Sequence, residues 1–166
     1  MTPPRQRAAL PFEEIVAEHG ALVMRVCRAL VGPVDAADAW AETFLSALQA
    51  YPRLPTGSNI RGWLVTIAHR KSIDQLRGAA RRARGSLELP DMTVTPEQPS
   101  AHDDDELRAA LDALPPKQRG AVIYRYLAEL SYAEVGELLG SNATAARRSA
   151  ADGIASLRKR LSKGMP

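Results

Sequence analysis

The chain has 166 residues, 45% of them hydrophobic, which is enough for one sizeable or two small packed cores. One cysteine and three scattered histidines exclude a disulfide framework and a clustered-cysteine zinc site, so no metal is expected. The net charge of +3 conceals two basic ends around an acidic middle: residues 1–84 carry twelve Lys or Arg against seven Asp or Glu, residues 85–114 one against eight, and residues 115–166 nine against four.

Basic ends suit a polyanion, because neutralising phosphates releases condensed counterions. No stretch approaches the roughly 18 to 20 apolar residues that a membrane span needs, and Met1 to Leu10 lacks the apolar core of a secretion signal, so a cytoplasmic protein without membrane insertion is expected.

The first predicted helix carries Phe12, Ile15, Val16, His19, Leu22, Val23, Val26, Cys27 and Leu30 at i, i+3, i+4, i+7 spacing, and Gly32-Pro33 ends it. Cys27 falls on its apolar face and reads as a small core residue. Asp35 is placed to cap a second helix. Its expected buried side is Ala37, Trp40, Ala41, Phe44, Leu45 and Leu48, with Asp38, Glu42 and Thr43 outward, and Tyr51-Pro52 stops it.

A loop with two prolines and a glycine then leads to a long helix over about Asn59 to Arg84, packed through Ile60, Trp63, Leu64, Ile67 and Ala68. Arg61, His69, Arg70, Lys71, Arg77, Arg81, Arg82 and Arg84 line it. Tyr51 and Trp63 are nearby, and basic groups interleaved with aromatic rings suit single-stranded DNA, whose unstacked bases stack on rings. The competing assignment for Phe44 and Trp63 is core.

From Gly85 to about His102 the chain holds Pro90, Pro96 and Pro99 among Ser, Thr and Glu without helical period, which marks a linker. This acidic segment is either a solvated connector or a nucleic-acid mimic in a basic channel. Asp103, Asp104 and Asp105 suit the start of the next helix.

Residues 131 to 161 read as a helix-turn-helix. Ser131 and Glu134 form a capping box, Val135, Leu138 and Leu139 a buried stripe, and Gly140 a left-handed helix end. A second helix from Asn142 or Ala143 to Leu161 keeps Ala146, Ala150, Ile154, Leu157 and Leu161 inward. Arg147 and Arg148 fall near its start, where a recognition helix touches DNA, and Arg158, Lys159, Arg160 and Lys163 crowd its last turns. An ordinary helical hairpin with basic residues at a helix C-terminus is the plainer alternative.

The order Asp38, Glu42-Thr43-Phe44, Trp63-Leu64, Ile67-Ala68, Asp74 and Arg77 resembles the promoter-melting domain of the extracytoplasmic-function group of bacterial RNA polymerase sigma factors. Leu111, Leu114-Pro115, Arg119, Ser131, Glu134-Val135 and Leu138-Leu139-Gly140 resemble that family's carboxy-terminal domain. The resemblance implies an all-α protein. A domain over residues 10–84 would bind core polymerase and the −10 element, an acidic linker would span 85–102, and a helix-turn-helix domain over 103–163 would bind the −35 element.

It further implies a cytoplasmic, nucleoid-associated initiation factor that is not an enzyme and has no cofactor. Its partners would be core RNA polymerase, through the clamp of the largest subunit and the flap, and promoter DNA; an anti-sigma factor is admitted as a third. Asp38, Glu42 and Thr43 would meet core. Tyr51, Asn59, Arg61, Trp63, Arg70, Lys71, Arg77 and Arg81 would serve the −10 region, and Asn142, Thr144, Arg147 and Arg148 the −35 element. The chain departs from the pattern at Ala41, Arg70, Thr144-Ala145-Ala146 and Asp152. A polymerase-independent helix-turn-helix regulator and a polymerase-binding module that does not initiate are the competing functions.

Overall fold

A computed structural model describes residues 9–85 and 102–164, so the segment expected to be the acidic linker lies almost wholly outside the described residues. The chain divides into two compact units, residues 1–72 and 73–166. All regular structure among the described residues is helical, in the order α1 (Phe12–Val31), α2 (Ala36–Ala50), a 3-10 turn (Tyr51–Arg53), α3 (Ile60–Gly85), α4 (His102–Asp112), α5 (Pro116–Val122), a π-helical turn (Ile123–Leu127), α6 (Tyr132–Leu138) and α7 (Ala143–Lys163).

In the first unit, Glu13 and Glu14 oppose the positive N-terminal end of α1, and Gly32 ends it at φ 95°, in the left-handed region glycine enters without strain. The core gathers Ile15, Val23 and Cys27 of α1, Ala36, Ala39, Phe44 and Ala47 of α2, and Leu64 and Ala68 of α3. Burying a side chain the size of Leu64 contributes about 2 kcal/mol. Trp40 fastens α2 to α1 by donating its indole N–H to the Gly20 carbonyl at 2.9 Å.

The orientation of α2 departs from the sequence expectation. Phe44 is core, but Ala37, Ala41, Leu45 and Leu48, expected inward, are exposed, while Thr43, expected outward, is fully buried. The helix offers two apolar arcs. It buries the one with small residues, Ala36, Ala39, Thr43 and Ala47, which lets the backbones of α1 and α2 approach. Thr43 tolerates burial because its hydroxyl donates to the Ala39 carbonyl at 2.6 Å. Asp35 takes the cap position of α2 without forming a side-chain cap bond.

In the second unit α7 packs against α4, α5 and α6. Its core joins Ala110, Leu111 and Leu114 to Val122 and Leu157, with Ile154 and Leu161 packed alongside. Arg119 reaches Asp112 at 3.0 Å, tying α5 to the end of α4. The Ser131–Glu134 capping box forms in both directions: the Glu134 N–H donates to Ser131 Oγ at 3.2 Å, and the Ser131 N–H donates to Glu134 Oε2 at 2.7 Å. Gly140 adopts φ 69°, the left-handed end its position called for.

Candidate nucleic-acid interface

Three surfaces carry the residues singled out in the sequence. On α2, Asp38 and Glu42 are exposed and share their side of the helix with Leu45 (53% exposed) and Leu48 (50%), while Val34 just before the helix is more open still. The spacing 38, 41, 42, 45, 48 follows one helical face. Among the described residues nothing covers this strip of carboxylates and leucines. Thr43 does not belong to it: its hydroxyl lies inside the unit beside the Cys27 thiol, which burial pushes up to about 11 against the smaller opposing effect of hydrogen bonding to Thr43 and Ser72.

The second surface joins the loop before α3 to that helix. Gly57 takes φ 85°, Ser58 Oγ donates to the Pro55 carbonyl at 2.6 Å, and Asn59 Oδ1 accepts from the Gly62 N–H at 3.2 Å. Asn59 thus holds the first turn of α3 in addition to standing at the loop's exposed edge. Tyr51 and Trp63 were expected to offer rings to unstacked bases. Both are half-buried, with Tyr51 5.5 Å from Phe12 and 6.4 Å from Trp63 between ring centroids, and the Tyr51 hydroxyl donates to the Leu10 carbonyl. Both rings pack against the core of the first unit, which limits the ring area they can offer to a base.

Along α3 the basic residues fall into two groups. Arg70, Arg77, Arg81 and Arg84 recur at i, i+7, i+11 and i+14 and form one exposed stripe. Arg61 and Lys71 are half-buried and lie off that stripe. His69, beside Arg70, is held below the usual histidine range by burial and by the neighbouring guanidinium.

The third surface is the start of α7. Asn142, expected at the −35 element, caps this helix, its Oδ1 accepting from the Ala145 N–H at 2.9 Å, so that oxygen is committed locally. Thr144, Arg147 and Arg148 are all exposed. The two arginines nevertheless differ. Arg148 is one of the residues lining a cleft of about 500 Å³, together with Lys117, Ser141, Asn142 and Thr144. Arg147 lies over the Tyr132 ring at 5.0 Å, and Arg125 of the π-helical turn lies over the same ring at 4.8 Å while donating to the Leu130 carbonyl at 3.0 Å. Tyr132 therefore gathers two guanidinium groups beside the recognition helix.

Sequence reasoning passed over Tyr132, Arg125, Lys117 and the outward leucines of α2. The leucines gave a signal of the wrong sign, being read as core. Tyr132 directly follows the cap residue Ser131, but its two cationic partners come from separate elements.

Comparison with known proteins matches residues 15–82 to the Sigma-70 region 2 family and residues 104–157 to the Sigma-70 region 4 family. The chain is 32% identical to the ECF RNA polymerase sigma factor SigE of Mycolicibacterium smegmatis, over 95% of this chain and 64% of that protein. It is 31% identical to the RNA polymerase sigma factor CarQ of Myxococcus xanthus, over 95% of this chain and 92% of that one. The chain thus spans less than two thirds of the length of the first relative and nearly all of the second. In fold it is similar to the sigma factor RpoE from Bartonella quintana, solved with the anti-sigma factor NepR (TM-score 0.73, 21% identity, 92% of this chain and 99% of that one), and to CnrH, solved with the cytosolic domain of CnrY (TM-score 0.70, 22% identity, 98% and 92%). With both sigma-70 regions present in order and a relative matched over nearly its whole length, the chain belongs to the extracytoplasmic-function group of the sigma-70 family of RNA polymerase sigma factors.

Proposed function

We propose that this protein is a promoter-specificity factor: it binds core RNA polymerase, captures the −10 region as single-stranded DNA, places α7 at the −35 element and leaves catalysis to the polymerase. The observation that carries this reading is the co-occurrence of three differently built surfaces, each suited to a different ligand. The strip of Asp38, Glu42, Leu45 and Leu48 mixes carboxylates with uncovered apolar area, a composition suited to a protein partner such as the polymerase clamp and unsuited to a polyanion.

The Arg70, Arg77 and Arg81 stripe follows a phosphate backbone, and the adjoining loop from Tyr51 to Gly62 is where an extruded base would lodge. Unstacking costs a few kcal/mol, so contacts in the loop must offset it and thereby set sequence preference, whereas the arginine stripe sets affinity and salt dependence. At α7, Arg147 and Arg148 supply contacts to duplex DNA, and a bidentate arginine on guanine discriminates by about 1 to 3 kcal/mol.

Within this function the protein works in the bacterial cytoplasm on the nucleoid and is not an enzyme. The solved complex of the sigma factor RpoE with the anti-sigma factor NepR supports an anti-sigma factor as a further partner. Run-off transcription with purified core polymerase on a promoter library tests the proposal: transcripts that depend on this protein support it, and core binding without initiation would place the chain among non-initiating modules.

A further inference from the structure

From the outward face of α7 we infer that Asp152 is a base-reading residue that selects a C·G pair in the upstream element by accepting a hydrogen bond from cytosine N4; this inference rests on the proposed placement of α7 in the major groove. Thr144, Arg148, Ala151, Asp152 and Ala155 are all exposed, and their spacing places them within about a third of the helix circumference, opposite buried Ala146, Ala150, Gly153 and Leu157. Between Thr144 and Ala155 this face carries only small side chains apart from Arg148 and Asp152, and exposed Lys159 continues it one turn further on. The helix backbone can therefore approach base edges closely.

Hydrated in the free protein, a carboxylate on this face has few stable surroundings once the face is set against DNA. Asp152 lies in the middle of α7, too far from either end to cap the helix or to interact with its dipole. Although Arg148 is one turn away, no ion pair joins the two among the described residues. Next to a phosphate, an uncompensated carboxylate would oppose the counterion release that drives binding. On the groove floor most edges repel it too, because guanine presents N7 and O6, and thymine O4, all acceptors. Cytosine N4 is the edge that presents a donor without an adjacent acceptor, and carboxylates pair with it in direct readout. Four residues of helix rise about 6 Å, so Arg148 and Asp152 fall within about two base-pair steps, one offering donors to guanine and the other an acceptor to cytosine.

The test is selection of upstream sequences by the full chain with core polymerase, from a library randomised over the −35 region in front of one fixed −10 region, for wild type, Asp152→Ala and Asp152→Asn. Initiation from a pre-melted −10 template is measured in parallel. Wild type is expected to enrich one C·G pair about five- to tenfold, Asp152→Ala to lose the preference at that pair alone, and Asp152→Asn to shift it toward adenine, which an amide reads at N6 and N7. All three should initiate equally on the pre-melted template. Equal gain by Asp152→Ala on every upstream sequence, or an unchanged profile, would overturn the inference and mark Asp152 as a solvated surface charge. Absence of initiation by wild type on either template would instead overturn the proposed function.

Discussion

Gly136 of α6 lies directly against the backbone of Asn142: a Cβ at position 136 would fall 2.5 Å from the Asn142 carbonyl carbon and 2.6 Å from its oxygen. This contact sets how closely the first helix of the helix-turn-helix approaches the start of the second. The Ser141 N–H donates to the Gly136 carbonyl at 2.7 Å across the same turn.

The added methyl in Gly136→Ala meets backbone rather than a flexible side-chain end, so it should destabilise the second unit by about 1 to 3 kcal/mol. Thermal unfolding followed by circular dichroism checks this. Because Asn142 caps α7, −35-dependent transcription should fall while initiation on a pre-melted −10 template persists. An unchanged melting temperature would mean the turn has slack the structure does not show.

The two sides of α2 should separate cleanly on mutation. Glu42→Lys and Leu48→Asp alter exposed positions and are expected to reduce co-purification with core polymerase about tenfold or more with unchanged helical circular dichroism. Thr43→Val removes a buried hydroxyl from its bond to Ala39, and should cost about 1 kcal/mol of stability while leaving core binding intact. Loss of core binding in the Thr43 variant at full stability would place that residue at the interface after all.

How far α2 was legible from sequence follows from its composition. The helix boundary was readable, since Tyr51-Pro52 cannot continue it, and Phe44 is core as periodicity indicated. The buried face was not, because alanines run around most of the helix and the large Leu45 and Leu48 outweigh them in any hydrophobic count, although close α1–α2 packing favours the smaller arc. In the second unit the capping box, the Gly140 break and the inner stripe of α7 were all local patterns and all formed. The π-helical turn was not foreseen. Its wide backbone bond, from the Ala128 N–H to the Ile123 carbonyl at 3.1 Å, has no sequence signature, yet it is what carries Arg125 to Tyr132. Beside the loop before α3, the rings of Tyr51 and Trp63 were identified as aromatic neighbours, but Tyr51 also packs against Phe12, from a distant part of the chain, which no local pattern signals.

Tyr132 should act through Arg147. Tyr132→Phe keeps the ring beneath the guanidinium groups and is expected to preserve −35-dependent open-complex formation. Tyr132→Ala removes it and should weaken that step about five- to thirtyfold, since a cation–π contact at a partly exposed site is worth about 0.5 to 1 kcal/mol and two are lost. Arg147→Ala combined with Tyr132→Ala should then cost less than the sum of the single changes. Full additivity in that cycle would show that the ring does not position the arginine.

The Cys27 thiol, raised to about 11 from 9.0 by burial, makes stability depend on alkaline pH. A group whose folded pKa exceeds its unfolded value stabilises the fold below the unfolded value and loses that contribution as pH rises toward the folded one. Between pH 9 and 11 the unfolded chain therefore gives up the thiol proton first, and the melting temperature should fall more steeply in wild type than in Cys27→Ala. In the folded protein at pH 8 the thiol should resist iodoacetamide and react only on unfolding. Rapid native alkylation would contradict its buried placement.

Open-complex formation with core polymerase, on matched templates at several salt concentrations, tests most directly the claim that loop and helix surfaces divide the reading of promoter DNA. Asn59→Ala should change which −10 sequences are used, with helical content checked because Asn59 also holds the first turn of α3. Arg77→Ala and Arg81→Ala should weaken all promoters about equally and lower the salt slope by roughly 0.7 to 0.9 per contact. Arg147→Ala and Arg148→Ala should affect only templates with a −35 element and spare a pre-melted bubble. If the loop variant lowered all promoters equally while the α3 arginine variants altered −10 preference, the division of roles would be contradicted.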